Sequence, residues 1–99
     1  MNIQAIMKQA QKMQKDVMKE KEEINKKIFT ETYSSVTVSV NGNKEITKID
    51  IDKEMDLSKD DIEMLEDMLM IAINKAFEQV DKETEKRMGK YGQGLSGLM

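Results

Sequence analysis

Residues 58–88 read SKDDIEMLEDMLMIAINKAFEQVDKETEKRM, and the spacing of their apolar residues predicts one long helix. At roughly 100° per residue, the first half of this segment is apolar almost all round, with a narrow polar strip of Glu63, Asp67, Asn74 and Glu78. A helix that packs on one surface needs an apolar stripe only about 100° wide, whereas a helix apolar all round is covered on every side. We therefore expect this helix to be buried from two sides at its start and to project past the core from about Asp81, where the sequence becomes mostly charged.

The second side of this helix needs a partner, because a chain of 99 residues has little else with which to cover it. The simplest partner is another copy of the chain, which predicts a homodimer. The alternative is a monomer whose other segments wrap around the helix. In the dimer, the apolar helix residues predicted to form the interface are Met64, Leu65, Met68, Leu69, Ile71, Ala72, Ile73 and Ala76.

The N-terminal segment, residues 3–28, is predicted to be an amphipathic helix. Its apolar positions lie within roughly ±50° of one direction on the helical wheel, and its lysines lie within roughly ±40° of the opposite direction. The chain contains no proline, so nothing kinks this helix. The apolar stripe comprises Ile3, Ile6, Ala10, Met13, Val17, Ile24 and Ile28, and the lysine stripe comprises Lys8, Lys12, Lys15, Lys19 and Lys26.

Strands are predicted between the two helices. Phe29 to Tyr33 is rich in threonine and aromatic residues and indicates a short strand. Val36 to Val40 alternates strictly, which indicates a half-buried strand with its valines on one face. Asn41-Gly42 then predicts a tight type I′ hairpin turn, because that turn requires positive φ at both central residues.

The returning strand, Glu45 to Ile51, places Ile49 and Ile51 on one face and leaves Ile46 unexplained on the other. Ser58 indicates a helix N-cap, with two aspartates near the positive end of the helix dipole. The sequence thus predicts an α+β fold in the order α-β-β-β-α, with a three-stranded antiparallel sheet and two long helices. Residues 1–88 form this single domain, and the glycine-rich residues 89–99 form a flexible tail.

The composition excludes several kinds of chemistry. The chain has no cysteine and no histidine, which removes thiol and imidazole catalysis and Cys/His metal sites. The stretch from Asp50 to Asp61 has oxygen donors at calcium-loop spacing, but Met55 stands where the sharp turn requires glycine, and Asp61 stands where a bidentate glutamate belongs. No pocket is indicated that would tune carboxylates for general acid–base catalysis. We expect no enzyme activity, no metal, no cofactor and no small-molecule substrate.

The charge is unevenly distributed along the chain. Net charge is −3, but residues 1–28 carry seven lysines against four acidic residues, a local excess of +3. Residues 29–56 and residues 57–99 each carry −3. No signal peptide is indicated, and the longest apolar run, residues 68–73, is too short to span a bilayer. We expect a soluble, cytoplasmic protein.

The lysine stripe is the main functional candidate. Lys8, Lys12, Lys15 and Lys19 recur at i, i+4, i+7 and i+11, so their ammonium groups line one edge of a rod that rises about 1.5 Å per residue. A row of positive charges suits phosphates and gains free energy from the release of counterions. The alternative interpretation is an ordinary solvated helix face.

The bases of the C-terminal helix are weaker candidates, because Asp81, Glu83 and Glu85 dilute their charge and Glu83 can pair with Arg87 at i, i+4. Of the 16 bases only Arg87 is an arginine, and guanine is most often read by arginine, which favours phosphate contacts over base contacts. The weaker candidates of the C-terminal helix are Lys82, Lys86, Arg87 and Lys90.

A helix lying on an anionic membrane is a further alternative, but the apolar stripe of the N-terminal helix lacks the Trp or Phe typical of such anchors.

Several segments resemble the YbaB/EbfC family of bacterial nucleoid-associated proteins. Met7-Lys8-Gln9-Ala10-Gln11-Lys12-Met13-Gln14 resembles the family's opening helix, and Val36 to Gly42 resembles its alternating strand that ends in Asn-Gly. Ile49-Asp50-Ile51-Asp52 is similar to the strand that closes its sheet, and Met64-Leu65-Glu66-Asp67 is similar to the start of its long second helix. Residues 72, 74 and 76 and the Met-Gly and Gly/Leu tail extend the likeness over nearly the whole chain. The segment Thr30 to Ser35 departs from the family, because it lacks the glycines often found between the first two strands.

This resemblance implies an α-β-β-β-α unit that forms a tight dimer with helices sandwiched between two sheets. It also implies binding of duplex DNA through projecting helix ends, with a sequence preference that varies among members and is often weak, and a location in the nucleoid. The leading hypothesis is therefore a homodimer that binds DNA mainly through phosphates and organises the chromosome or regulates genes. The alternative is a dimeric protein–protein interaction module whose lysine face is only solvated.

Overall fold

The first helix and the strand that follows it meet without a loop. The computed structural model describes residues 2–91. Helix α1 spans Ile3–Lys26 and begins at Asn2, whose side-chain oxygen accepts hydrogen bonds from the N–H groups of Gln4 (3.1 Å) and Ala5 (3.4 Å). The sequence predicted helix as far as Ile28, but that residue already opens strand β1, Ile28–Tyr33.

The sheet is antiparallel, in the order β1-β2-β3, with β2 at Val36–Asn41 and β3 at Ile46–Ile51. Tyr33 pairs with Val36, so the turn between β1 and β2 contains only Ser34 and Ser35. Ser34 has a φ of 53°, the positive value that tight hairpin turns need at their first central position. A serine thus takes the position for which the sequence offered no glycine.

The hairpin between β2 and β3 forms at Asn41-Gly42 as predicted, but its turn is not the predicted type I′. The N–H of Asn41 donates to the carbonyl of Glu45 (3.0 Å), which closes a loop of three residues. Lys44, with a φ of 62°, takes the left-handed position, and the Asn41 side-chain oxygen accepts from the N–H groups of Asn43 (2.9 Å) and Glu45 (3.0 Å). Gly42 is required for another reason, since a Cβ there would overlap the carbonyl group of Ile24.

A β-bulge explains Ile46. Ser39 pairs with Lys48 and Val40 pairs with Ile46, so the register shifts by one residue and Thr47 is left over. Residues directly opposite each other share a face of the sheet, and the shift therefore moves Ile46 to the face that carries Val40. The strict alternation assumed from sequence had placed it on the opposite face.

Helix α2 spans Lys59–Met88 and has its N-cap at Ser58, as predicted. The Asp61 carboxylate accepts from the Ser58 N–H (3.2 Å) and hydroxyl (2.7 Å), which lowers the pKa of Asp61. Gly89–Tyr91 continues the helix as a short 3-10 turn. The predicted flexible tail otherwise lies outside the described residues.

The core lies between α2 and the sheet, and it confirms the α+β fold with the order α-β-β-β-α. One stripe of α2 packs across β1 and β2, and every second residue of β2, each time a valine, points into the core. Leu65, Leu69, Ile73 and Phe77 pack at the edges. The fully packed residues are Val36, Val38, Val40, Met68, Ala72, Ala76 and Val80.

The molecule is elongated, with principal dimensions of 71 × 20 × 14 Å. Ile24 near the C-terminal end of α1 is the one buried side chain of that helix, whereas every residue from Ile3 to Lys12 is exposed. We call residues 3–19 the arm. The arm is held to the body only at its C-terminal end, which positions the lysine stripe away from the sheet.

Candidate nucleic-acid interface

Four of the predicted DNA-binding lysines lie together on the arm. Lys8, Lys12, Lys15 and Lys19 are all exposed, and 11 residues of helix separate the first from the last, a length of about 16 Å. Within residues 2–91, none of the four takes part in an ion pair with another side chain. Asp16 is the only acidic residue of the arm. The arm thus presents a net positive edge to solvent.

Arg87, in contrast, is held by three carboxylates at the base of the arm. Its guanidinium donates to Glu20 (3.1 Å) and Glu23 (2.9 Å) of α1 and to Glu83 (2.8 Å) of its own helix. Lys90 Nζ lies 2.6 Å from the second oxygen of Glu20, and Lys27 Nζ lies 3.2 Å from Glu83. We call these six residues the ionic root. Three bases and three acids compensate each other there.

Hydrogen bonding within the ionic root stabilises the charged form of four of its members, Glu20, Glu83, Arg87 and Lys90. Bonds from Lys90 and then Arg87 lower the pKa of Glu20, and bonds from Arg87 and then Lys27 lower the pKa of Glu83. The same contacts raise the pKa values of Arg87 and Lys90 above their ordinary ranges. All of these groups are charged at neutral pH, so the root attracts phosphate much less than the arm does.

The remaining predicted DNA-binding bases are exposed, and each is either weakly paired or unpaired within the described residues. Lys26 lies 3.6 Å from Glu22 and Lys82 lies 3.8 Å from Glu78, both as exposed i, i+4 pairs, which contribute little to stability and leave the ammonium groups accessible. Lys86 is exposed and makes no ion pair within the described part of the chain. The structure therefore brings four lysines together on the arm and ties Arg87 and Lys90 into the root.

The residues predicted for the dimer interface differ in how far their own chain buries them. Met68, Ala72 and Ala76 are buried against the sheet of their own chain and have almost no surface left for a second copy. Leu65, Leu69, Ile71 and Ile73 are half-buried, and Met64 is exposed. The helix has two sides, as its sequence indicated, but one of them is covered by the chain itself.

Other apolar side chains remain uncovered in the single chain. On α2, Met64 and Met70 are 53% and 57% exposed. On β3, Ile46 and Ile49 face the same way as the core valines, but α2 packs mainly on β1 and β2 and leaves them 43% and 46% exposed. Sequence reasoning missed Ile46 because nothing in the strand pattern signals the bulge.

Within residues 2–91, neither helix offers an apolar stretch long enough to cross a bilayer. In that same range no three acidic side chains converge as metal ligands would. Two carboxylates of the predicted calcium-loop stretch make local hydrogen bonds: the Asp52 side chain accepts from the N–H of Glu54 (3.0 Å), and Asp61 in the first turn of α2 accepts from Ser58.

Comparison with known proteins shows the family to which the chain belongs. The model of the YbaB/EbfC DNA-binding family matches residues 1–95. A nucleoid-associated protein of Ligilactobacillus salivarius is 39% identical over 99% of this chain and 95% of its own length. Similar relatives in Clostridium novyi and Mycoplasmopsis pulmonis, also named nucleoid-associated proteins, are 42% and 40% identical over 97% and 89% of this chain, and 85% and 90% of their own lengths. With a family model and relatives matched along nearly the full length, this chain belongs to the YbaB/EbfC DNA-binding family.

Proposed function

We propose that this protein is a homodimer that binds duplex DNA in the bacterial nucleoid, mainly through phosphates and with weak sequence preference. Membership of a DNA-binding family supports duplex DNA as the partner, and the nucleoid-associated relatives support the location. The role is architectural or regulatory, in chromosome organisation or gene expression, and involves no catalysis and no cofactor.

The observation that carries this proposal is the row of four exposed lysines on the arm, which the chain's own carboxylates leave unpaired within residues 2–91. An ammonium group is a point charge that suits phosphate in any orientation. The single arginine, whose planar fork could read a guanine, is already bound by three carboxylates. Contacts to the DNA backbone therefore fit this surface better than contacts to base edges.

The exposed apolar residues support the dimer. Contiguous apolar surface on a small protein generally marks a surface that another molecule covers. A second copy placed against the free faces of α2 and the uncovered part of β3 would bury Met64, Met70, Ile46 and Ile49. That arrangement puts the helices between the two sheets and leaves the lysine edges of both arms in solvent.

Reversing the arm charges tests the site. The variant with Lys8, Lys12, Lys15 and Lys19 all changed to Glu should lose gel-shift binding of duplex DNA and should remain a dimer by sedimentation, since these side chains are exposed. The control reverses Lys48, Lys53 and Lys59, which are exposed on the body. Because lower net charge weakens binding wherever it is placed, the arm variant must lose far more affinity than the control. Equal losses in the two variants would reject the arm as the site.

A protein–protein interaction module is the second candidate, and the apolar stripe of the arm favours it. Ile3 and Ile6 are 69% and 50% exposed in the single chain. A partner that covers this stripe would leave the lysines to solvate the outside of the complex. Pull-down from nuclease-treated lysate separates the two candidates, because a stoichiometric protein partner retained without nucleic acid favours the module.

A further inference from the structure

We infer that Arg87 is a positioning residue that fixes the direction of the arm, and that it does so through the three carboxylates it binds rather than by touching DNA. The part of this inference that concerns affinity rests on the proposed function. The part that concerns the direction of the arm stands on the geometry of the ionic root alone.

The ionic root lies where the arm leaves the body. Towards the N-terminus from Ile24, the next hydrogen bonds are those of Arg87 in α2 with Glu23 and Glu20, and of Lys90 in the 3-10 turn with Glu20. On the other side of Ile24, Gly42 packs directly on the Ile24 carbonyl, and Lys27 pairs with Glu83. The hairpin loop therefore holds the end of α1, and Arg87 holds its next turn.

Arginine has the chemistry that this position needs. A guanidinium carries five N–H donors in a planar fork and can engage several carboxylates at once, whereas an ammonium group is compact and lacks that fixed geometry. Arg87 uses Nε on Glu83 and Nη1 on Glu20 and Glu23, so one side chain links a full turn of α1 to α2.

Partial burial makes the contacts of Arg87 with Glu20 and Glu83 more effective than ordinary surface pairs, whereas Glu23 is 51% exposed. The side chain of Arg87 is 27% exposed and those of Glu20 and Glu83 are 19% exposed, in contrast to 77% for Lys26 and 69% for Glu22 in a simple surface pair. Salt and water screen buried pairs less than exposed pairs. A DNA phosphate that approached Arg87 would meet three carboxylates already bound to its Nε and Nη1, whereas none of the four arm lysines forms an ion pair within residues 2–91.

The arm direction is measured with two spin labels. The chain has no cysteine, so Gln4→Cys at the arm tip and Gln79→Cys on α2 give two unique labelling sites, both exposed. Dilution into excess unlabelled protein makes pairs within one chain dominate the pulsed electron resonance signal. We expect a narrow distance distribution in the parent protein and a clearly broader one after Arg87→Met. The control Lys86→Met removes the neighbouring base of α2 and should leave the width unchanged.

Three further variants keep the inference testable if Arg87→Met fails to fold. Glu20→Gln with Glu23→Gln removes the α1 partners and should broaden the distribution, whereas Asp16→Asn with Glu22→Gln removes the same charge from the same helix and should not. Arg87→Lys should give an intermediate width. An unchanged width in the Glu20/Glu23 variant would overturn the inference.

DNA affinity gives an independent reading. If the released arm spends about a third of its time in the binding direction, affinity falls about threefold relative to the Asp16/Glu22 control at matched charge. Direct contact of Arg87 with phosphate predicts the opposite, because the Glu20/Glu23 variant frees the guanidinium and would bind DNA more tightly than the control. If the parent protein binds no DNA at all, the proposed function fails, whereas the distance measurements still decide whether Arg87 positions the arm.

Discussion

At the scale of single residues, three turn positions show which residues this chain uses where the backbone is constrained. Ser34 and Lys44 adopt positive φ, a conformation that glycine adopts more readily. Gly42 is needed instead because the backbone of the hairpin loop lies directly against the backbone of α1 at Ile24. A Cβ at Gly42 would overlap the Ile24 carbonyl group and lie 2.8 Å from the backbone nitrogen of Asn25. The hairpin loop and the end of α1 are therefore in direct backbone contact.

Gly42→Ala should destabilise the protein by about 2–3 kcal/mol, because relief of this overlap requires movement of backbone rather than of a flexible side chain. Thermal or urea unfolding measures the loss. Gly89→Ala is the matched control: Gly89 has right-handed helical φ and ψ and nothing within 4 Å of a Cβ, so alanine there should be neutral or slightly stabilising. Equal stability of the two variants would contradict the close contact at Gly42.

At the scale of elements, the periodicities of the sequence predicted both helices, the three strands and the Ser58 cap, because each depends on local spacing. The position of Ile46 could not be predicted, since the bulge at Thr47 arises from pairing between strands. The roles of the bases also depended on tertiary contacts: the i, i+4 pair of Arg87 with Glu83 was visible in the sequence, but the approach of Glu20 and Glu23 from α1 was not.

The ionic root should make the junction of the two helices sensitive to acid. The pKa values of Glu20 and Glu83 are lowered from 4.5 by their basic partners, so their contribution to stability is fully present above that value and is lost as pH falls through the lowered pKa values. Unfolding of the parent protein and of Glu20→Gln between about pH 3 and pH 7 measures this contribution. The parent should be the more stable near neutral pH, and the difference should disappear in acid.

The control for this measurement is Glu22→Gln, which removes a carboxylate from the same helix whose pair with Lys26 is 3.6 Å long and exposed. Exposed pairs contribute little, so this variant should follow the parent closely across the range. A stability difference for Glu20→Gln that stays constant into strong acid would contradict the account of the root.

At the scale of the whole molecule, an elongated chain with one core and uncovered apolar side chains on α2 and β3 fits half of a larger assembly. Changing Met64 and Met70 to Glu should weaken the proposed dimer by at least about 100-fold, because each methionine that the proposed interface buries would contribute about 1.5 kcal/mol or more. Analytical ultracentrifugation measures the change. Lys48→Glu with Lys53→Glu, which adds acidic residues elsewhere on the body, should leave association intact, and an unaltered dimer in the methionine variant would place the interface elsewhere.

The claim that lysine-edged arms of a dimer bind DNA phosphates is tested most directly by a salt titration with a specific and a random duplex side by side. Four lysines on each of two arms make at most about eight phosphate contacts, so the plot of log affinity against log salt should fall with a slope no steeper than about −7, and in parallel for both duplexes. Binding that is insensitive to salt, or confined to one duplex at every salt concentration, would contradict it.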